Sequence, residues 1–182
     1  IVTALAAPTG RAAKRMEKAT LRPAKTIHRL LEFGAQPGED ISEYSRFARD
    51  EDNPIEADAV IIDETSMVDI YLLKNLLAAL EPGTRLILTG DSDQLPSVGP
   101  GNVLKDIIGS GQVPVAILNE VFRSQGNIAL NAHKVNLGES IDLFSAGDFL
   151  FLPTKTPEEA LERTMRVYQE RLEEGIAMDE IQ

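Results

Sequence analysis

Short apolar runs alternate with amphipathic stretches along the first half of the chain, and this alternation predicts buried strands separated by helices. The runs at residues 1–7, 59–62 and 85–89 are rich in β-branched or small side chains, which is typical of strands buried on both faces of a parallel sheet. Leucine and isoleucine at helical spacing over residues 70–80 predict a helix, which Pro82-Gly83 ends. Strand, helix and strand in this order indicate adjacent βαβ units.

The segments around these runs predict a basic helix and an insertion. A turn at residues 8–11 precedes a predicted helix over residues 12–19, and Thr26 is a candidate N-cap for a second helix. The polar stretch 34–54 contains two glycines and predicts an inserted hairpin or loop between core elements. The small side chains of the first helix are expected to pack on the sheet: Ala12, Ala13, Met16 and Ala19.

The second half of the chain predicts two more strands and two more helices. The strands are expected over residues 113–118 and 149–152, and the helices over residues 127–137 and 157–174. Glycines follow both helices as predicted caps, and a Thr-Pro-Glu-Glu capping box opens the last one. One stripe of the last helix is expected to pack in a core: Leu161, Met165, Tyr168 and Leu172.

The distribution of charge is more informative than its total. The chain carries a net charge of −11, yet residues 1–31 hold seven basic side chains against one acidic, a local +6 that leaves −17 for the remainder. Because salt screens surface charges beyond about 8–10 Å, this basic region can bind phosphates on an acidic protein. Backbone N–H groups of residues 9–11 at a helix start would add an anion site. A solvated basic helix face is the alternative interpretation.

Several classes of site are excluded by composition. Cysteine is absent, which excludes disulfides and cysteine-based metal sites, and His28 and His133 have no partner at metal-ligand spacing. The longest apolar run is too short to cross a bilayer, and the first residues lack a basic n-region, so we expect a cytoplasmic protein with no membrane partner. The chain starts within a predicted strand without an initiator Met, so we expect a segment of a longer protein.

Polar side chains follow two of the predicted strands directly. Asp63 and Glu64 come after the second apolar run, and Asp91 and Gln94 follow the third. Ligands bind beyond the carboxyl ends of parallel strands, so we expect these four side chains around a triphosphate. Asp63 would hold Mg²⁺, and Glu64 would orient or deprotonate the attacking water. Taken alone, the Asp63–Glu64 pair is more typical of a solvated acidic loop.

Five sequence blocks in a fixed order change that interpretation. They are APTGRAAKRM, TIHRLL, VIIDETSMVD, LTGDSDQLPSVGPGNVLKDII and LNEVFRSQ, all within roughly residues 1–138. Together they resemble the RecD/TraA branch of superfamily 1 DNA helicases, which includes the RecD subunit of exodeoxyribonuclease V. GDSDQLPSVGPG is the most specific block, and the acidic pair is the least.

The resemblance implies an α/β fold of the P-loop NTPase class, with a RecA-like parallel sheet flanked by helices. Residues 1–118 would form most of a first RecA-like motor domain, and residues 119–182 the start of a second. The insert at 34–54 would be a strand-separating pin. ATP and Mg²⁺ are the implied cofactors. The implied partners are single-stranded and forked DNA, with other subunits of a helicase–nuclease complex.

The resemblance also implies catalytic roles. Asp63 and Glu64 match the Walker B pair, with Asp63 towards Mg²⁺, and Asp91 and Gln94 match the motif that senses the γ-phosphate of ATP. Arg123 matches an arginine that reaches the same phosphate from the second domain. Gln94 can hold a water in line, and Arg123 can offset transition-state charge. All five residues would thus touch the nucleotide, its metal or the attacking water.

Contacts with single-stranded DNA are implied at three segments. The residues are Pro8, Thr9, Gly10, Arg11, Thr26, His28, Ser97, Val98 and Gly99. From their chemistry we expect His28 and His133 to be structural, although His28 can hydrogen-bond a phosphate.

Two features of the family do not occur in the chain. The 182 residues contain no GxxxxGK[ST] phosphate loop and none of the late helicase motifs, so we expect them alone neither to hydrolyse ATP nor to unwind DNA. The complete protein would be a helicase in DNA recombination or repair. A P-loop translocase or switch that does not open duplex DNA remains an alternative, as does a non-catalytic DNA-binding module. Deleting the insert would separate the first alternative from a helicase.

Overall fold

The computed structural model describes residues 1–34, 47–118, 126–143, 147–178 and 180–181. The chain divides into two compact units, Ile1–Ile117 and Leu118–Gln182. The first unit contains a parallel sheet with helices, and the described part of the second contains two helices. Among the described residues, no helix is both long enough and apolar enough to cross a bilayer.

Four parallel strands form the sheet of the first unit, in the order β2–β1–β3–β4. They are β1 Thr3–Ala7, β2 Lys25–Thr26, β3 Ala59–Ile62 and β4 Arg85–Leu88. Ile62 at the end of β3 lies opposite Ala6 of β1 and Leu88 of β4, so the carboxyl ends of the strands meet at one edge. The predicted α/β architecture, a parallel sheet flanked by helices, is confirmed.

The amino edge of the sheet is closed by Asp58. Its carboxylate accepts a hydrogen bond from Val2 N at 2.6 Å, and its carbonyl accepts one from Arg85 N at 3.0 Å. Nearby, Thr84 Oγ1 donates to Ala57 O at 3.1 Å. This edge therefore joins β1, β3 and β4 by structural bonds.

Helices cover the sheet and form its core. In the first unit they are α1 Gly10–Thr20, α2 Ile27–Leu30, α3 Ile70–Ala78 and α4 Val103–Ser110. Val60 and Ile62 of β3 are fully buried and belong to one cluster with Ile27 and Leu76. β4 differs from the prediction of a strand buried on both faces, because it is the outermost strand described and alternates exposed and half-buried side chains.

α1 rests on the sheet through alanines. Thr9 is its N-cap, and Thr9 Oγ1 accepts a hydrogen bond from Ala12 N at 3.2 Å. Ala12 and Ala13 are buried as predicted, whereas Ala19 is exposed, so its predicted packing is wrong.

The predicted insert begins and returns at a pair of aromatic residues. Phe33 and Phe47 form an antiparallel bridge, and residues 35–46 between them lie outside the described residues. Arg49 follows the bridge and holds the Glu32 carboxylate with two nitrogens, at 2.8 and 2.9 Å. The two ends of the insert are therefore fixed to each other.

Both strands predicted in the second half of the chain are wrong. Residues 113–118 and 149–152 are described and form no strand. Pro114 interrupts the first run and removes a ladder donor, and Pro153 follows the second. α4 was not predicted, although its apolar residues recur at helical spacing and Gly111 ends it with φ +64°.

The two helices of the second unit are α5 Asn127–Asn136 and α6 Pro157–Glu173, close to their predicted bounds. Thr156 Oγ1 accepts from Glu159 N at 3.2 Å, which confirms the predicted cap of α6. The predicted core stripe is wrong, because α6 has no buried residue and Leu161 is 65% exposed. A stripe identifies an apolar face, but it does not show that the same chain covers it.

Candidate functional site

The carboxyl edge of the sheet gathers most of the polar residues predicted from sequence. β1 leads to Pro8 and Thr9, and β3 leads to Asp63 and Glu64. Because β3 lies between β1 and β4, the acidic pair lies between the segment after β1 and the loop after β4. The sheet thus brings together segments that are far apart in sequence.

Asp63 is oriented by a residue that sequence reasoning did not select. Thr89 Oγ1 donates to Asp63 Oδ1 at 2.8 Å. The backbone of Thr89 is fixed as well, because its N–H donates to Ile62 O at 2.8 Å and its carbonyl accepts from Thr65 N at 2.9 Å. Asp63 N donates to Ala6 O at 2.9 Å. The half-buried carboxylate is therefore held by the residue that follows β4, and the Asp63 backbone is held by β1.

Glu64 forms an ion pair with Arg15 of α1. Arg15 Nη2 donates to Glu64 Oε1. The Glu64 side chain is 20% exposed and that of Arg15 is 51% exposed. Glu64 has φ +55° and ψ +41°, a left-handed conformation that is uncommon for a residue other than glycine. The basic helix face was predicted from sequence either to bind phosphates or to be solvated, and the pattern does not indicate this partner.

Two glycines let the loop after β4 lie close to the chain that follows the acidic pair. A Cβ on Gly90 would lie 2.9 Å from Leu104 Cδ2 and 3.0 Å from Thr65 N. A Cβ on Gly99 would lie 2.8 Å from Asp69 Cγ. The loop is therefore held at both ends against residues 65–69.

The middle of this loop is more exposed. Asp91 Oδ1 accepts from Asp93 N at 2.9 Å, and Gln94 N donates to Asp91 O at 3.3 Å. The side chains of Asp91 and Gln94 are exposed. Ser97 Oγ donates to Gly99 O at 3.0 Å, and the Val98 side chain is fully exposed. The structure joins Asp63 to Thr89, while Asp91 and Gln94 lie in the loop beyond.

The residues implied to contact DNA after β1 and β2 lie at helix starts. Pro8 and Thr9 are partly buried, whereas Gly10 and Arg11 are exposed at the first turn of α1. Thr26 caps α2 and accepts from Arg29 N at 3.2 Å, which confirms the predicted cap.

His28 belongs to an aromatic cluster at the base of the insert. Its ring centroid is 5.4 Å from that of Phe33 and 5.9 Å from that of Phe47. Phe33 and Phe47 are 5.2 Å apart. His28 therefore joins α2 to both ends of the insert while remaining exposed.

Asp63 has the chemistry of a single magnesium ligand. The described residues contain no group of three or more histidine or acidic side chains that could enclose a metal ion. Mg²⁺ in nucleotide sites usually keeps several waters and takes one or two carboxylates besides phosphate oxygens. A single carboxylate held by Thr89 fits that pattern. Arg123, the predicted contact to the γ-phosphate, lies outside the described residues.

Comparison with known sequences gives a consistent result. Residues 2–100 match the family model described as AAA domain. The RecBCD enzyme subunit RecD of Mycobacterium tuberculosis is 43% identical over 121 residues, covering 58% of this chain and 20% of that protein. The ATP-dependent RecD2 DNA helicase of Deinococcus radiodurans is 38% identical over 138 residues, covering 75% of this chain and 18% of that protein. The chain therefore spans about a fifth of these relatives.

Solved structures with partial similarity include Pif1 helicase from Bacteroides in complex with ADP-AlF3 and ssDNA. That chain is 19% identical, with a TM-score of 0.49 over 97% of this chain and 48% of its own length. Unliganded Pif1 from Bacteroides sp is 28% identical, with a TM-score of 0.36 over 57% of this chain and 26% of its own.

Proposed function

Because this chain belongs to the AAA domain family, within the RecD-like branch of superfamily 1 DNA helicases, we propose that it forms part of an ATP-driven motor. The motor would travel along single-stranded DNA and open duplex DNA during recombination or repair. The observation that carries the proposal is the position of Asp63 and Glu64 between the segment after β1 and the loop after β4.

Asp63 would hold Mg²⁺ beside the bound nucleotide, directly or through water. The hydrogen bond from Thr89 fixes the direction of this carboxylate before nucleotide binds. The ion, when bound, would offset charge that develops on the phosphate oxygens.

Glu64 would accept a proton from a water whose oxygen attacks the γ-phosphorus, while the bond from that phosphorus to the bridging oxygen of ADP breaks. Gln94 would hold this water in line, because its amide both donates and accepts hydrogen bonds. Asp91 would fix the loop that carries Gln94, since its carboxylate and carbonyl accept bonds within that loop. Arg123 would offset the transition-state charge from the second motor domain.

Single-stranded DNA would lie along three segments of the first motor domain, residues 1–118. They are residues 8–11, the pair Thr26 and His28, and residues 97–99. Backbone N–H groups at the exposed start of α1 and the local charge of +6 over residues 1–31 support phosphate contacts there. The insert would act as a pin at forked DNA. Residues 119–182 would begin the second motor domain, and other subunits of a helicase–nuclease complex are proposed partners.

The test is Glu64→Gln in the complete gene product that contains residues 1–182. This change keeps the shape of the side chain and removes the base, so kcat for phosphate release with single-stranded DNA should fall by about 10²–10⁴. Nucleotide binding should persist. Glu56→Gln, at an exposed position before β3, is the control. The proposal would be contradicted if single-stranded DNA did not raise the hydrolysis rate of the wild-type protein, or if Glu64→Gln kept the full rate.

A further inference from the structure

The Arg15–Glu64 ion pair connects two segments to which the proposed function gives different tasks. Glu64 is the proposed base in hydrolysis, while Arg15 lies on α1, one turn after the segment proposed to contact DNA. The inference below rests on that proposed function and concerns its regulation. It assigns a role to Arg15, which neither the acidic pair nor the DNA contacts require.

Hydrogen bonds join the first turn of α1 to the segment before it, so we expect the two to move as one unit. Thr9 is bonded to the first turn through both its hydroxyl, 3.2 Å from Ala12 N, and its carbonyl, 3.0 Å from Ala13 N. Arg15 lies on the next turn of the same hydrogen-bonded helix. A displacement of residues 8–11 by a bound phosphate would therefore be carried to the Arg15 side chain.

Glu64 is restrained at both its backbone and its carboxylate. Its peptide adopts the left-handed conformation, and its Oε1 accepts a hydrogen bond from the guanidinium. Charge-assisted hydrogen bonds of this kind are stronger than neutral ones. The guanidinium therefore fixes the direction of the Glu64 carboxylate and opposes its rotation towards an attacking water.

We propose that Arg15 is a positioning residue that restrains Glu64 until single-stranded DNA binds at residues 8–11 and shifts α1. Release of Glu64 then raises the rate of hydrolysis. The Arg15–Glu64 contact, which lies within one domain, thereby keeps the rate of ATP hydrolysis low while no single-stranded DNA is bound. The restraint is modest, because both members of the pair are partly exposed.

Arg15→Ala in the complete gene product tests this role. Phosphate release is measured without DNA and with saturating oligothymidylate. The rate without DNA should rise about two- to fivefold, the range that partly exposed ion pairs permit. The rate with saturating DNA should stay at the wild-type value, so the stimulation ratio falls by the same factor.

Two further variants separate this role from a general effect of charge or folding. Arg15→Lys keeps the positive charge and should restore most of the wild-type ratio. Lys74→Ala removes a charge from an exposed position of α3, outside the basic region of residues 1–31, and should leave both rates unchanged. Added salt should screen the Arg15–Glu64 pair and so raise the wild-type rate of phosphate release without DNA. The same rate in Arg15→Ala should not change with salt.

A rate without DNA in Arg15→Ala that equals or falls below the wild-type rate overturns the inference. That result leaves the proposed function intact, provided that the wild type is stimulated by DNA and Glu64→Gln is inactive. If DNA does not stimulate hydrolysis by the wild type, the proposed function itself is contradicted.

Discussion

At the scale of single residues, two threonines at the ends of β4 offer a matched comparison. Thr89 follows the strand, and its hydroxyl reaches Asp63 Oδ1 at 2.8 Å. Thr84 precedes the strand, and its hydroxyl reaches Ala57 O at 3.1 Å on the opposite edge. Both side chains lose one hydrogen bond when changed to valine, but only Thr89 touches the proposed magnesium ligand.

Thr89→Val should therefore raise the Mg²⁺ concentration needed for half-maximal ATP hydrolysis. The loss of one hydrogen bond, about 0.5–1.5 kcal/mol, corresponds to a shift of about two- to tenfold. Thr84→Val should lower the free energy of unfolding by about 0.5–1.5 kcal/mol, which is seen as a lower melting temperature. It should leave the Mg²⁺ dependence of hydrolysis unchanged. Equal Mg²⁺ titrations for the two variants would show that Thr89 does not orient Asp63.

The sequence predicts the acidic pair but not the residues that hold it. Asp63 and Glu64 follow an apolar run directly, so their place at a strand end can be inferred from local pattern. Thr89 and Arg15 are 26 and 49 positions away from their partners, and only the order of strands brings each pair together. Periodicity gives the face of an element, but it does not identify a partner on another element.

At the scale of elements, the loop after β4 depends on close contact at Gly90. A methyl group there would meet Leu104 Cδ2 at 2.9 Å and two backbone nitrogens at 3.0 and 3.2 Å. Gly109, inside α4, has no atom within 4 Å of the same added group. The two glycines thus differ in the space available for an added methyl group.

Gly90→Ala should lower the free energy of unfolding by about 1–3 kcal/mol, because overpacking forces the neighbouring backbone to shift. Gly109→Ala should raise it by about 0.5–1 kcal/mol, because alanine favours helix interiors. Denaturant titration of the purified variants, followed by circular dichroism, gives both values. Stabilisation by Gly90→Ala would mean that the loop does not pack as described.

The insert is the element whose role is most easily isolated. Replacing residues 35–46 by Asn-Gly leaves the bridge between Phe33 and Phe47 and allows a tight turn. If the insert is a pin, strand separation on forked DNA should be lost while DNA-stimulated hydrolysis stays within about twofold, since no nucleotide contact is removed. A Gly/Ser segment of equal length is the second variant. Retained unwinding in both would favour a different separating element.

Long elements with strong patterns are predictable here, and short or uncovered ones are not. α3, α5 and α6 were predicted from caps and spacing, and their bounds are close to the observed ones. The strand predicted over residues 113–118 is wrong, because a strand needs a neighbouring strand to pair with and Pro114 removes one backbone donor from that pairing. α4 is eight residues long, and its single buried face gives a weak signal.

At the scale of the whole molecule, the carboxyl edge would supply one side of the proposed nucleotide site. The 182 residues contain acids and a polar loop but no GxxxxGK[ST] sequence. Loop amides and a lysine of that kind normally hold the β- and γ-phosphates. The proposed hydrolysis would therefore need phosphate-binding groups that these 182 residues do not supply.

The 182-residue polypeptide alone should show no DNA-stimulated ATP hydrolysis, whereas the complete gene product should show it. Circular dichroism of the same polypeptide separates a folded but incomplete site from an unfolded chain. Steady phosphate release from the short polypeptide, dependent on Glu64, would show that the site is complete without a phosphate loop.

The edge closed by Asp58 has a practical consequence for observing the motor at work. Because every proposed contact with nucleotide or DNA in the described part of the sheet lies at the other edge, a fluorophore attached in the turn before β4, at the amino edge, would leave those contacts untouched. The chain has no cysteine, so Glu81→Cys, in the exposed turn before β4, would give a unique attachment point within these residues. Energy transfer from that dye to labelled DNA could then follow single steps in real time.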